Sequence, residues 1–207
     1  MNRRGLWLAI LLCFLAAGPA GADTLYGTQA PEDAAFVRFF RAVDSGGVLE
    51  VGARRLDPPR GGATPYRPVL PDIYLLRAGG QELELIPKVR HYYTLALTAQ
   101  GLLVFEDVEH ADPARAQLVL YDLLPRERVE LKTADGGTSI IAAVGPGEAG
   151  RVNVNAVPVR LGVFGTAGPL SIIGDPGLRR GASYSVFVFQ SGSAPEVLCA
   201  KAELAQE

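Results

Sequence analysis

Val129-Glu130-Leu131-Lys132-Thr133-Ala134-Asp135-Gly136-Gly137-Thr138-Ser139-Ile140-Ile141-Ala142-Ala143 is the stretch that decides the fold. In Val129, Leu131 and Thr133 every second residue is a strand former, with Glu130 and Lys132 between them. A period of two gives a strand one buried face and one wet face. Asp135-Gly136-Gly137 then reverses the chain, because glycine adopts the positive φ of a tight turn at little steric cost. A β-hairpin is expected over 129–143.

The same grammar extends in both directions. Residues 118–122, 151–154, 159–164, 183–189 and 196–200 are strand-like in the second half. Residues 35–41 and 48–53 are strand-like in the first. Two further hairpins are expected, 73–86 turning at Ala78-Gly79-Gly80 and 92–106 turning at Gln100-Gly101. Residues 57–72 hold Pro58, Pro59, Pro65, Pro68 and Pro71, and a residue without an amide hydrogen cannot donate to a ladder, so this stretch reads as loop. Asp112-Pro113 could start a helix over 114–124, but a strand is expected there.

A weak internal repeat divides the chain. Phe36-Val37-Arg38-Phe39-Phe40 opens the first half as Gln117-Leu118-Val119-Leu120-Tyr121 opens the second. His91-Tyr92-Tyr93-Thr94-Leu95-Ala96-Leu97 corresponds in the same way to Ala182-Ser183-Tyr184-Ser185-Val186-Phe187-Val188. The expected fold is all-β, with two tandem β-sandwich (immunoglobulin-like) domains at 23–107 and 117–207 joined by a linker at 108–116. The alternative is one larger two-sheet domain. No traceable strand crosses the linker, so the halves are expected to unfold separately.

Residues 1–22 read as a cleavable signal peptide. Arg3-Arg4 precede an apolar run from Leu6 to Ala17, and Ala20-Gly21-Ala22 is a small-x-small cleavage site. The run is shorter than the roughly 20 apolar residues a membrane span needs, so no transmembrane segment is expected after cleavage and the location is expected to be periplasmic. Cys13 leaves with the leader, which removes any intramolecular partner for Cys199; a buried, inert thiol at a strand end is expected. The formal charge is −2 before cleavage, and losing Arg3 and Arg4 makes it more negative. No basic stripe or cluster remains, which excludes a general nucleic-acid binder and an anionic-lipid binder.

The chemistry is sparse. There are two histidines, His91 and His110, and no Gly-x-Ser-x-Gly elbow. Gly174-Asp175 would begin the nucleophile motif of SGNH hydrolases, but Pro176 has no hydroxyl. Asp107-Val108-Glu109-His110 has the Asp-x-x-His spacing of that superfamily's base pair, yet precedes the would-be nucleophile instead of following it. Asp107 and His110 are therefore expected in a solvated linker. An acyl-transfer enzyme would have to draw on Ser139, Ser183 or Ser185 with His91 or His110. No zinc, calcium or phosphate-loop pattern is present. No catalytic residue, metal ligand or cofactor is assigned. Tyr92-Tyr93 could serve a carbohydrate-binding module, but neighbours on a strand point to opposite faces, so one of the two is expected in the core.

Several segments carry a resemblance. Residues 131–138, Leu-Lys-Thr-Ala-Asp-Gly-Gly-Thr, and 150–159, Gly-Arg-Val-Asn-Val-Asn-Ala-Val-Pro-Val, resemble the AlgF family of periplasmic alginate O-acetylation proteins. Thr24-Leu25-Tyr26-Gly27, Ala30-Pro31, Ala35-Phe36-Val37-Arg38 and Tyr92-Tyr93-Thr94-Leu95 are similar to that family's mature N-terminus and tyrosine-containing strand. Where family members carry asparagine-containing turns after the first strand of each half, this chain has Val43-Asp44 and Asp122-Leu123, and its proline-rich loop over 57–72 is longer. The resemblance implies tandem β-sandwiches without activity of their own. It implies an adaptor for O-acetylation of an alginate-like exopolysaccharide. The partners it implies are a membrane-bound O-acyltransferase, a periplasmic SGNH-type acetyltransferase and the polysaccharide itself.

Overall fold

Strands of the first half alternate between two sheets. The computed structural model describes residues 30–44 and 48–205, and the expected signal peptide lies outside them. The first half runs β1 (Ala35–Arg41), β2 (Leu49–Val51), β3 (Arg54–Leu56), β4 (Gly62–Ala63), β5 (Arg67–Val69), β6 (Tyr74–Ala78), β7 (Gln81–Leu85), β8 (Tyr92–Thr98) and β9 (Gly101–Asp107). One sheet has the order β4-β1-β8-β9, with β5 also on β1; the other has the order β3-β2-β6-β7. Their facing sides enclose Val37, Phe39, Leu49, Leu76, Tyr93 and Leu95.

The second half runs β10 (Ala116–Leu123), β11 (Val129–Thr133), β12 (Ser139–Val144), β13 (Ala149–Val154), β14 (Leu161–Gly165), β15 (Gly168–Gly174), β16 (Ser183–Ser191) and β17 (Ala194–Lys201). Its sheets are β13-β10-β16-β17 and β12-β11-β14-β15, closed over Leu118, Leu120, Leu131, Leu161 and Val186. The internal repeat is thus a repeat of topology. In each half the first strand pairs in parallel with the penultimate one, Phe36 opposite Tyr92 and Gln117 opposite Ser183. All described elements are strands, and 116–123 is a strand despite Asp112-Pro113.

Two expectations need correction. The proline-rich stretch is not all loop: β5 lies antiparallel on the edge of β1, with Pro68 opposite Phe36. An edge strand tolerates proline because its outward amide has no ladder to serve. Ala116, placed at the end of the linker, is already the first residue of β10, leaving 108–115 as the connection.

The expectation of separately unfolding halves also meets a third core. Central strands β1, β8, β10 and β16 are buried on both faces, as near-continuous apolar runs should be when layers cover both sides. Their outer faces stack the sandwiches together through Phe40, Ala96 and Phe105 of the first half and Tyr121, Leu123, Phe187 and Phe189 of the second. Phe40 stacks on Phe187 at 4.2 Å and meets Phe189 edge-on at 5.2 Å. Arg60, in the proline-rich stretch, also bonds to Ser191 on β16. Each fully buried side chain of this size contributes about 1.5–3 kcal/mol, so the halves stabilise one another. Ala30–Ala205 accordingly form one compact unit.

At the β11–β12 turn, Gly136 has φ 74° and its amide donates to the Thr133 carbonyl at 2.8 Å. A Cβ there would also lie 3.3 Å from the Phe164 ring. Gly136→Val should cost about 1–3 kcal/mol through backbone strain, and Gly137→Val clearly less, because its φ is not positive. Urea unfolding of both variants checks this. A single transition that shifts as a whole is expected, because the third core couples the halves.

Asp122 is fully buried. Its Oδ1 accepts from the Leu124 amide at 3.0 Å, an Asx turn, whereas Oδ2 has no partner among the described residues. Burial raises its carboxyl to about 6 from the ordinary 3.8, with Glu127 and Glu148 adding to the rise and the Leu124 bond opposing it. The folded state therefore holds this proton more tightly than the unfolded chain. The associated stability is complete below pH 3.8 and lost as pH rises through about 6. The loss is on the order of 2–3 kcal/mol, at about 1.4 kcal/mol per unit. Asp122→Asn, the residue type that the family resemblance puts in such turns, should lose that slope. Urea unfolding of both proteins from pH 4 to pH 7 measures the difference.

Candidate functional site

The period of two places Phe36, Arg38 and Phe40 on the side of β1 that faces the second sandwich. Arg38 is only 2% exposed. Its Nε donates to Thr94 Oγ1 at 2.8 Å, and its Nη2 donates to the Tyr121 hydroxyl at 2.9 Å and to Ser185 Oγ at 2.8 Å. The guanidinium also lies 4.4 Å from the centre of the Tyr66 ring. The arginine thus rises from the first sandwich and spends two of its hydrogen bonds on the second.

Asp107, the last residue of β9, closes the cluster from the other side. Its Oδ1 accepts from Tyr121 at 2.5 Å, and its Oδ2 accepts from Tyr66 at 2.7 Å and from Thr94. Thr94 and Tyr121 each accept from the arginine and donate to the aspartate, relaying between cation and anion. Burial pushes the Tyr121 and Tyr66 phenols far above their usual range, Arg38 opposing the shift in both. Both phenols stay neutral and remain donors. Burial works against the charge on Arg38, but Tyr121, Tyr66 and Asp107 outweigh it and hold the guanidinium protonated. The C-terminal tail straps the same place: the Tyr66 amide donates to the Glu203 carbonyl and the Ala205 amide to the Tyr66 carbonyl, both at 2.8 Å.

This cluster corrects the placement of Asp107 in a solvated linker: Asp107 ends a strand and accepts three hydroxyl hydrogen bonds. The Asp-x-x-His spacing does not make a pair. His110 Nε2 instead donates to the Arg115 carbonyl at 2.9 Å. His91 Nδ1 meets Glu106 at 2.6 Å on the surface, where Lys88 also reaches that carboxylate. Ser183 donates to Gln117 Oε1 at 3.0 Å, Ser139 is exposed, and Ser185 faces an arginine, which cannot act as a base. Asp175 accepts from the Gly177 amide at 2.9 Å, beside the hydroxyl-free Pro176. Tyr93 is in the first core, while Tyr92 faces outward and stacks on Phe36 at 4.6 Å. Cys199 is half-buried on β17 and burial lifts its thiol to about 11. No group of three or more potential metal ligands occurs among the described residues.

A signal for the cluster was present in the sequence. Arg38 interrupts a run that is apolar on both faces, and a charge there needs a polar partner from a layer beyond its own sandwich.

The molecule is a double β-sandwich protein built around a closed polar centre. The chain belongs to the AlgF family: the family model described as "Alginate O-acetyl transferase AlgF" matches residues 9–185. It is 32% identical to the alginate biosynthesis protein AlgF of Pseudomonas aeruginosa, over 93% of this chain and 92% of that protein. It is 30% identical to the alginate biosynthesis protein AlgF of Azotobacter vinelandii, over 89% of this chain and 86% of that one. Among solved structures, the C-terminal domain of AlgF from P. aeruginosa matches 42% of this chain and 98% of its own length, at 30% identity and a TM-score of 0.40.

Removing the Arg38 charge should be costly, because Asp107 would then be partly buried without a counter-charge. Arg38→Met is expected to destabilise the fold by about 3–5 kcal/mol, moving the whole urea transition. A loss below about 1 kcal/mol would mean that water reaches the cluster and replaces the arginine's bonds.

Proposed function

We propose that this chain is a non-catalytic periplasmic accessory protein for O-acetylation of an alginate-like exopolysaccharide. In this reading it bridges a membrane-bound O-acyltransferase and a periplasmic SGNH-type acetyltransferase. The observation that carries the reading, beside family membership, is how the nucleophile and base candidates are distributed. Acyl transfer needs a hydroxyl or thiol beside a base. Here both histidines bond elsewhere, and the buried serine receives a hydrogen bond from a permanently protonated group. A rigid scaffold with free edges and loops is what a bridging protein needs, with about 800 Å² of surface for each stable partner.

A strain lacking the gene should make exopolysaccharide without O-acetyl esters, and the wild-type gene should restore them. Normal acetylation in the deletion strain would end the proposal. The family description names a transferase, so a second reading is an acetyl transferase or esterase of unrecognised type. The purified protein should leave a chromogenic acetyl ester unchanged. Turnover that disappears in the His91→Ala, His110→Ala double variant would establish the enzyme instead.

A further inference from the structure

A ladder of charge crosses the outer face of the sheet β3-β2-β6-β7. Arg55 lies opposite Glu50, Glu50 opposite Arg77, and Arg77 opposite Glu82. The sign alternates from strand to strand, and Arg77 Nε donates to Glu82 Oε1 at 2.6 Å. The ladder ends on a carboxylate, because β7 is the last strand of the sheet. Ala78 and Gln81 flank a two-residue turn whose glycines, Gly79 and Gly80, have φ 59° and 76°. In such a hairpin the flanking pair exchanges hydrogen bonds, and so does every second pair after it. The amides and carbonyls of Glu82 and Glu84 therefore point off the free edge. Other edges are blunted. β5 carries Pro68, β17 carries Pro195, and β12 and β15 pair with shifted register. On β9 the Leu102 amide already donates to Gln81 Oε1 at 2.7 Å. β7 keeps an unbroken register over its whole length.

We propose that β7 is a docking edge for an extended strand of a partner protein, one that alternates basic and apolar residues. The inference rests on the bridging role proposed above and gives that role a surface. A strand added to β7 sets its side chains beside Glu82 and Glu84 on the outer face and beside Leu83 on the other face. Opposite charges across strands attract and like charges repel, so cations fit the two carboxylate positions. Glu84 lies opposite Leu75 and meets no cation among the described residues. The position between them suits an apolar residue: Leu83 lies opposite the buried Leu76 yet is 38% exposed. Past the end of the hairpin the surface is apolar too, with Ile73 65% and Ile86 61% exposed. A second copy of this chain fits poorly, because two β7 strands running antiparallel about Leu83 put Glu82 opposite Glu84. β13 is another edge of regular register, but its exposed Arg151 carries the wrong charge for the same partner. Backbone bonds along the edge supply affinity, and the alternating side chains select the partner.

The test is an NMR titration of isotopically labelled protein, residues 23–207, with the synthetic peptide acetyl-Thr-Ile-Thr-Lys-Val-Lys-Thr-amide. Saturable amide shifts centred on residues 81–86 are expected. The same peptide with both lysines replaced by glutamate should leave these amides unmoved. The Glu82→Lys, Glu84→Lys double variant should bind the lysine peptide about tenfold more weakly and the glutamate peptide more tightly, as two cross-strand charge pairs change sign. A peptide methylated on the backbone nitrogens of its two lysines keeps its charge but loses the amides that face Glu82 and Glu84, and it should not bind. No shifts at 81–86, or binding undiminished by that methylation, overturns the docking edge. Equal affinity for the glutamate peptide overturns the basic partner. Shifts at 81–86 that depend on protein concentration without peptide would make a second copy the occupant and overturn the proposal. If the peptide fails to bind while the deletion strain still lacks acetyl esters, this edge falls and the accessory role stands.

Discussion

A single buried cation sets the architecture. Arg38 is out of water, and a guanidinium cannot escape the cost of burial by losing its proton. Every group around it therefore has to be supplied by the fold. Thr94 comes from the neighbouring strand of the same sheet, Tyr121 and Ser185 come from the other sandwich, and Asp107 supplies the negative charge through two hydroxyls. If the second sandwich turned away, two of these partners would be lost. The aromatic stack of Phe40, Phe187 and Tyr121 borders the cluster, with the Phe187 ring 5.2 Å from the guanidinium, and such apolar neighbours keep the local dielectric low. The same low dielectric strengthens the satisfied network and penalises any gap in it.

The repeat explains why the junction can exist. Both halves place a parallel pair at the middle of one sheet, β1 with β8 and β10 with β16. A pair covered on only one side would show alternation. These four strands are instead apolar on both sides, so each sandwich has an outer face that cannot stay in water. Stacking the two faces solves the problem once for both halves. It leaves β3-β2-β6-β7 and β12-β11-β14-β15 as the sheets with a solvent side, in keeping with the alternating Glu130 and Lys132 of β11.

The period of two and the turn residues made the all-β class, the hairpins at 78–80 and 135–137, and the repeat that relates the two halves legible in the sequence. They did not reveal the junction, because which surface meets which is a long-range fact that local period does not encode. The clue lay in residues 36–40 and 117–121, where period two is absent because both faces are buried. Asp107 was misplaced for a related reason: the polar run after it looks like linker, and only the fold brings Tyr66 and Tyr121 to its carboxylate. The proline-rich stretch hid β4 and β5, since strands of two and three residues paired at an edge leave almost no sequence pattern.

Position decides what such a centre can do. An active site keeps its polar groups partly unsatisfied and open, so that substrate can complete them. Here Thr94 and Tyr121 each both accept and donate, the Asp107 oxygens accept three bonds, and burial fixes the phenols as neutral donors. Little capacity is left for a substrate, and the stability stored in the cluster would be lost if one entered. Exposed polar side chains lie outside it, Arg151, Asn153 and Glu109, beside the 108–115 connection. The centre is therefore structural: it fixes the two sandwiches against each other through bonds from Arg38 to both.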